Sequence, residues 1–179
     1  MSDLDYTSIS RVSRLPKLKI VGHARHGKDT VAKLLEDFAG YKAISSSYAV
    51  CEAYIYERLC VKYRYKNVLE CFDDRINHRA EWYDLIAEYN TPDKARTARL
   101  IYSKADIYIG IRCDKELRAA QDEKLIDLTI WVDASERLPL EPYDSMKITK
   151  DMADIIVDNN RTPRDLEQRI QNLAKVLRS

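Results

Sequence analysis

The sequence predicts an α/β fold, a five-stranded parallel sheet with helices on both faces and a lid segment. Two observations predict it. Short runs rich in β-branched and aromatic residues alternate with longer segments in which apolar residues recur every three or four positions. Strands that alternate with helices form parallel sheets, because each connection must cross a face of the sheet. The length of 179 residues is typical of one compact domain.

The composition excludes several classes of protein. Charged residues make up 33% of the chain, no run of 18 apolar residues occurs, and the N-terminus has no signal-peptide pattern, so we expect a cytoplasmic protein without a membrane partner. The net charge of +1 predicts no global attraction to nucleic acid. The four cysteines lack metal-ligand spacing and are interpreted as reduced thiols.

The first elements surround a glycine-bearing turn. Residues 1–16 have no apolar period and are predicted to be a flexible arm, which leaves 17–179 as the domain. Residues 17–21 (K-L-K-I-V) are predicted to form a strand. From Lys28 a helix is expected, with Gly40 as its C-cap. Its apolar face comprises Val31, Leu34, Leu35 and Phe38.

The later elements follow the same alternation. In order they are a weak strand at 42–45, a helix at 49–63, a helical stretch at 68–89 that is continuous or broken, a helix from Pro92 to about 104, a strand at 106–111, a short helix at 115–123, and strands at 127–133 and 154–157. Pro163 opens a terminal amphipathic helix. Residues 134–150, the lid segment, contain two prolines and little periodicity and are expected to form a mobile loop.

The segment Gly22-His23-Ala24-Arg25-His26-Gly27-Lys28-Asp29 matches G-x-x-x-x-G-K, the pattern of a phosphate-binding loop. In such a loop the glycines let backbone N–H groups turn towards a phosphate, and the helix that follows adds a favourable dipole. Lys28 is expected to reach the β- and γ-phosphates of ATP. Because the motif follows an apolar strand and opens an amphipathic helix, ATP binding is favoured over a chance match.

Two features of the loop are specific to this chain. The position after the lysine, where a serine or threonine hydroxyl usually binds Mg²⁺, is Asp29, followed by Thr30. A carboxylate is a suitable ligand for this hard cation, so Asp29 is the predicted metal ligand and Thr30 is grouped with the nucleotide-binding residues. His23 and His26 occupy variable positions and are interpreted as exposed imidazoles.

A family resemblance rests on three segments. The stretch G-H-A-R-H-G-K-D-T-V-A at 22–32 resembles the phosphate loop of phage-type deoxynucleoside monophosphate kinases, which also carry Gly-Lys-Asp-Thr. The likeness continues in A-D-I-Y-I-G-I-R at 105–112 and A-D-I-I-V-D-N-N at 153–160. It implies the P-loop nucleoside monophosphate kinase fold with a lid, Mg-ATP as donor, a deoxynucleoside monophosphate as acceptor and, for a phage-encoded protein, the host cytoplasm. The chain also resembles phage kinases that phosphorylate 5-hydroxymethyluracil already in DNA.

The segment 70–83 (E-C-F-D-D-R-I-N-H-R-A-E-W-Y) is the densest polar constellation. In a helix, Arg75 and Arg79 would share one face, where two guanidinium groups can clamp an acceptor phosphate. A solvated face of Asp–Arg pairs is the alternative. Trp82 and Tyr83 are interpreted as a buried aromatic pair beside these charges, which favours an acceptor site.

Four further side chains are candidates for the chemistry. Asp74 and His78 would also share a helical face; Asp74 would accept a proton or orient an arginine, and His78 would contact the acceptor. Arg112 follows a buried strand and should point at phosphates, because ligands bind at the carboxyl ends of parallel strands. Arg137 is either a lid arginine that closes over the transferring phosphoryl group or an ordinary surface arginine.

The sequence leaves three functions open: a kinase for free mononucleotides, a kinase for DNA, and a module without an acceptor. The stretch V-K-Y-R-Y-K at 61–66 interleaves basic residues with tyrosines, which suits either a DNA strand or the solvated end of a helix. A free mononucleotide would not need such a stretch. The third alternative is an ATPase or switch module without an acceptor, against which the strand at 106–111 argues because no aspartate ends it. The oligomeric state is left open.

Overall fold

The structure is a computed structural model that describes residues 14–143 and 146–179. Its centre is a five-stranded, wholly parallel sheet with the strand order β2-β3-β1-β4-β5. The strands are β1 (Leu18–Val21), β2 (Ala43–Ser45), β3 (Ile107–Ile109), β4 (Leu128–Asp133) and β5 (Ile155–Asp158). The predicted α/β fold is therefore confirmed. Most of the predicted arm, residues 1–13, lies outside the described residues, whereas Arg14 pairs with Asp127 and Leu15 packs on the core.

Helices cover both faces of this sheet. They are α1 (Lys28–Ala39), α2 (Ser46–Val50), α3 (Tyr56–Tyr63), α4 (Val68–Asp73), α5 (Arg79–Asn90), α6 (Arg96–Tyr102), α7 (Asp114–Asp122) and α8 (Pro163–Leu177). Helices α1 and α8 pack on one face, and α6 and α7 pack on the other. The alternation of side chains along the strands explains this division, because Leu18 and Ile20 belong to the first core and Val21 to the second.

Two predicted helices are interrupted. The segment predicted as one helix at 49–63 consists of α2, a π-helical turn at Cys51–Ile55 and α3. The segment at 68–89 breaks after a 3₁₀ turn at Asp74–Ile76, because His78, with φ −125° and ψ 35°, leaves helical geometry before α5 begins. The predicted helix start at Pro92 is also wrong, since α6 begins at Arg96.

Four helices (α2, α3, α4 and α5) and the π-helical turn form a third core that contains no strand residue. Its buried members come from the segment between β2 and β3: Val50, Cys51, Ile55, Leu59, Cys71, Trp82 and Tyr89. Trp82 is buried as predicted, but the expectation for Tyr83 is wrong, since its exposed fraction is 73%. Neighbouring helix positions point about 100° apart, so one ring faces the core and the other the solvent.

Gly22 and Gly40 both have positive φ values, but their surroundings differ. Gly22 (φ 142°) ends β1 beside β4, and a Cβ there would lie 2.5 Å from the carbonyl oxygen of Val132. Gly40 (φ 74°) ends α1, donating its N–H to the carbonyl of Glu36, and a Cβ there would meet nothing within 4 Å. The first glycine is required by space as well as by backbone conformation, the second by conformation alone.

We therefore expect Gly22→Ala to lower the free energy of unfolding by about 3 kcal/mol and Gly40→Ala by about 1 kcal/mol, because only the first adds a collision with backbone to the strain of a positive φ. Urea denaturation of both variants and the wild type measures the difference. Equal losses would show that β4 yields to the added methyl group without cost.

Candidate functional site

A cavity of about 1210 Å³ lies at the carboxyl edge of the sheet. The phosphate loop after β1, the turns after β2 and β3, and residues 138–142 of the lid segment contribute to its lining. Seven lysine and arginine side chains line it, but only three carboxylates do: Arg25, Lys28, Arg75, Arg79, Lys94, Arg112 and Lys147 against Asp29, Glu116 and Glu141. In a chain with a net charge of +1, this excess marks a site for anions.

The phosphate loop occupies one side of this cavity. Ala24, Arg25, Lys28 and Asp29 line it, whereas Gly22, His23, His26 and Gly27 do not and instead shape the loop; Thr30 is exposed and is not a lining residue. The Nζ atom of Lys28 donates to the carbonyl oxygens of Gly22 (2.9 Å) and His23 (2.7 Å). Burial and the neighbouring Arg112 lower the pKa of Lys28. The lysine thus lies folded against its own loop.

The interpretation of both loop histidines as exposed imidazoles is wrong. His26 is fully buried, and its Nδ1 accepts the backbone N–H of Ala134 at 3.1 Å. A ring nitrogen that accepts has no proton, so Nε2 carries it and faces the carbonyl of Pro139 at 3.4 Å. His23 is half-buried, and its Nδ1 accepts the N–H of Glu141 at 3.1 Å. Both histidines therefore connect the phosphate loop to the lid segment.

Asn159, the residue after β5, contacts the same loop. The Nδ2 atom of Asn159, a buried side chain, donates to the carbonyl of His26 at 2.9 Å. A Cβ on Gly27 (φ 97°) would lie 2.4 Å from that nitrogen. The second glycine of the motif thus makes room for Asn159. The sequence pointed to the segment 153–160 but not to this contact.

Arg112 lies where the sequence placed it, beyond the carboxyl end of β3, and it lines the cavity. It forms an ion pair with Glu141 of the lid segment, whose other carboxylate oxygen accepts the backbone N–H of Ala24 at 2.7 Å. Arg137 is not among the lining residues. Its Nε donates to the carbonyl of Asn159 at 2.7 Å, so in this structure it holds the base of the lid segment to β5.

The predicted acceptor residues divide into two groups. Arg75, Arg79 and Trp82 line the cavity even though the helix between the arginines is broken. The Arg75 guanidinium stacks on the ring of Phe72 at 3.7 Å and donates to the Phe72 carbonyl at 2.6 Å. The indole N–H of Trp82 is buried and has no hydrogen-bond partner among the described residues.

Asp74 and His78 are not brought to the cavity. The Asp74 carboxylate accepts hydrogen bonds from the Tyr65 hydroxyl (2.5 Å) and the Asn77 amide (2.6 Å), which, with His78 at 3.0 Å, lower its pKa. The His78 ring stacks on Tyr63 with centroids 4.0 Å apart. These contacts hold the break in the helix together.

The basic stretch 61–66 also lies away from the cavity. Lys62 pairs with Glu81 at 2.7 Å, and the two tyrosines of the stretch contact His78 and Asp74 through ring stacking and a hydrogen bond. The tyrosine rings are thus already used in packing.

A polar cluster in the cavity escaped the sequence analysis. The Oδ1 of Asn90 accepts the Thr97 hydroxyl at 2.7 Å, and its Nδ2 donates to Glu116 at 3.2 Å. Burial raises the pKa of Glu116, and the field of Lys19 opposes that shift. Lys19, fully buried in β1, lies with its Nζ over the Tyr108 ring. No local pattern signals this cluster, because its members come from five separate elements.

The residues at the phosphate loop fit a magnesium ion whose ligands are mainly phosphate oxygens and waters, with one carboxylate from the protein. Asp29 is exposed in the first turn of α1 and lines the cavity beside Lys28. Mg²⁺ in phosphoryl-transfer sites takes one or two carboxylates together with phosphate oxygens and waters. Throughout residues 14–143 and 146–179, no group of three or more His, Cys, Asp or Glu side chains gathers as a protein-only metal site.

Comparison with solved structures agrees with this architecture. A shikimate kinase from Bacteroides thetaiotaomicron superposes with a TM-score of 0.50 at 14% identity, covering 90% of this chain and 98% of that one. A shikimate kinase from Aquifex aeolicus has the same score and identity, with coverages of 89% and 95%. The likeness shows the P-loop, nucleoside monophosphate kinase-like fold.

No protein-family model matches the chain, and no curated protein does either. In the part of the chain that the structure describes, every helix is too short or too polar to cross a bilayer.

Asp133, the last residue of β4, makes the stability of the fold dependent on pH. Burial raises the pKa of Asp133. The ion pair with Lys150 (2.6 Å) and the hydrogen bond from the N–H of Ser135 (3.0 Å) outweigh burial and lower this pKa to about 2. A folded-state pKa below the ordinary 3.8 stabilises the protein above pH 4, and this stabilisation is lost as the pH falls towards 2. The Asp133 carboxylate thus binds the Lys150 side chain and the Ser135 backbone at the end of β4.

We expect Asp133→Asn to lower the free energy of unfolding at pH 7 by roughly 2 kcal/mol, and the difference from wild type to shrink between pH 4 and pH 2. Thermal unfolding across this pH range measures it. Asp84→Asn, which neutralises an exposed carboxylate on α5, is the control. A deficit that stays constant down to pH 2 would contradict the ion-pair explanation.

Proposed function

We propose that this protein is a P-loop kinase that transfers the γ-phosphoryl group of Mg-ATP to a deoxynucleoside monophosphate. One observation carries the proposal: a single cavity contains both the phosphate loop and the arginine pair Arg75 and Arg79. Donor and acceptor are both anions, and cations dominate the lining of this cavity. A site that binds two phosphate-bearing ligands needs such a charge excess to offset their repulsion.

The donor side rests on the phosphate loop. Its backbone N–H groups and the N-terminus of α1 bind the β-phosphate, and Lys28 neutralises charge on the transferring group. Lys28 can reach those oxygens by exchanging its hydrogen bonds to the loop carbonyls for bonds to phosphate. Arg112, beyond β3, adds a second cation at the same edge of the sheet.

Asp29 would hold the magnesium ion, directly or through water. When bound, the ion neutralises negative charge on the phosphates and helps to align them for in-line transfer. Asp29 is well placed for this because it is the first residue after the phosphate-loop lysine and faces the same cavity.

The acceptor side rests on the arginines and on an apolar wall. Arg75 and Arg79 would bind the acceptor phosphate, since a guanidinium group donates two parallel hydrogen bonds to phosphate oxygens. The apolar and aromatic lining residues near them provide a surface for a base: Phe72, Ile76, Trp82, Tyr83 and Ile86. A base stacks on aromatic rings irrespective of its identity.

The position of Asp74 favours a phosphate as the nucleophile. An acceptor phosphate is largely ionised at neutral pH and needs no general base, whereas the hydroxymethyl group of a modified base in DNA does. Asp74, the predicted base, lies outside the cavity. For a DNA acceptor, which remains the alternative, another carboxylate of the lining such as Glu116 would have to take that proton, and the basic stretch 61–66 would have to bind the strand.

We expect the wild type, given labelled ATP and Mg²⁺, to phosphorylate at least one member of a panel of deoxynucleoside monophosphates. Neither ordinary nor hydroxymethylated DNA should be labelled. Lys28→Met should lose at least a thousandfold in kcat while retaining the wild-type unfolding midpoint, because the lysine acts on the phosphates from the cavity. Labelling of hydroxymethylated DNA alone would replace the proposal with its alternative, and ATP hydrolysis without any labelled acceptor would support a switch module.

We expect Arg75→Ala and Arg79→Ala each to raise the acceptor KM about tenfold to a hundredfold, the loss expected for charge-assisted hydrogen bonds, with the ATP KM unchanged. Arg58→Ala is the matched control, because Arg58 also stacks on an aromatic ring (Tyr54, 3.3 Å) but lies outside the cavity. Steady-state kinetics with each substrate varied in turn measure the effect. A defect confined to ATP would place the arginines on the donor side.

A further inference from the structure

One carboxylate of the lid segment lies against the phosphate loop. Glu141 Oε2 accepts the backbone N–H of Ala24 at 2.7 Å, and Oε1 pairs with Arg112. The backbone N–H groups of such a loop are the groups that bind phosphate oxygens. The Glu141 carboxylate thus accepts a hydrogen bond from the loop and pairs with Arg112, at the edge of the sheet where the phosphates of a nucleotide would bind.

The electrostatics show that the loop stabilises this anion. The side chain of Glu141 retains only 18% of its exposure, and burial alone would raise its pKa. The hydrogen bonds from Arg112 and from the Ala24 N–H, together with the field of Lys28, instead hold the pKa of Glu141 below its ordinary value. The carboxylate is therefore ionised at neutral pH and satisfies part of the positive charge of the loop.

The backbone around Glu141 is fixed to the same loop. Its own N–H donates to His23 Nδ1 at 3.1 Å, and the carbonyl of Pro139 faces His26 Nε2 at 3.4 Å. At the start of the segment, the Ala134 N–H donates to His26 Nδ1. Side chain and main chain thus hold residues 134–141 in a position where the carboxylate covers the loop.

We propose that Glu141 is an internal competitor of the nucleotide phosphates, a latch that occupies the phosphate loop of the ligand-free protein and must leave before they bind. The inference deepens the proposed function and rests on it. Phosphate oxygens carry more charge than one carboxylate and engage several loop donors, so they displace it. Arg112 then exchanges a carboxylate partner for a phosphate.

With the latch in place, the apparent affinity for phosphates is the affinity of the open loop multiplied by the fraction of molecules in which the loop is open. If about nine molecules in ten are latched, removal of the latch strengthens phosphate binding about tenfold. The effect requires the reach of the side chain as well as its charge. Aspartate is one methylene shorter and cannot span Ala24 and Arg112 as glutamate does, so it keeps the charge but loses the latch.

The test is titration calorimetry with Mg-ATP, and separately with inorganic tripolyphosphate, of wild type, Glu141→Gln, Glu141→Asp and Glu136→Gln. Glu136→Gln is the matched control, an exposed glutamate in the same segment and outside the cavity. We expect both Glu141 variants to bind both probes about tenfold more tightly than wild type and the control to bind as wild type does. Tighter binding by Glu141→Gln but not by Glu141→Asp would mean that only the charge matters and would overturn the latch, as would unchanged or weaker binding by both.

A second measurement needs no ligand. In the free protein the latch hydrogen-bonds the Ala24 amide, so hydrogen exchange in peptides covering 22–28 should be faster in both Glu141 variants than in wild type and the control. Unchanged exchange would overturn the latch even if ATP binds. Failure of wild type and all variants to bind either probe would reject the proposed function. Faster exchange in the Glu141 variants would then show that the carboxylate covers the loop, but its competition with phosphates would be overturned.

Discussion

The structure depends on how closely the phosphate loop approaches the strands beside it. At one end Gly22 lies against the carbonyl of Val132 in β4, and at the other Gly27 lies against Asn159 beyond β5. Neither position has room for a side chain, and both backbones take conformations that L-residues avoid. This double contact fixes the direction of α1 and hence the place of Lys28, so the order of the strands and the shape of the phosphate loop constrain each other.

The regular elements could be predicted because their signals are local. The strand before the loop, α1 with its glycine cap and α8 after Pro163 all lie within a few residues of their predicted places. The positions of the breaks could not be predicted, because they follow from tertiary contacts. The helix at 68–89 is interrupted where His78 stacks on Tyr63 and contacts Asp74, and no periodicity of the sequence records that partnership.

The same distinction applies to the candidate site. Its loop was found from spacing, and Arg112 from the rule that ligands meet the carboxyl ends of strands. Asn90, Thr97 and Glu116 were missed because their hydrogen bonds join three separate helices, α5, α6 and α7, and no local pattern records how these helices pack. The histidines were misjudged for a related reason. In sequence they occupy variable positions, yet in the fold their ring nitrogens accept backbone N–H groups from a segment more than a hundred residues away.

The third core determines how Arg75 and Arg79 are held at the cavity. Its buried side chains pack mainly with one another, and Leu100 is shared with the core beneath α6 and α7. The segment is joined to the sheet by Ala49 of α2, which belongs to the second core. Arg75 and Arg79 belong to this segment, whereas Lys28 begins α1, which packs on the first core. The two sets of cations that line the cavity are therefore supported by different hydrophobic cores, and the distance between them depends on how those cores pack together.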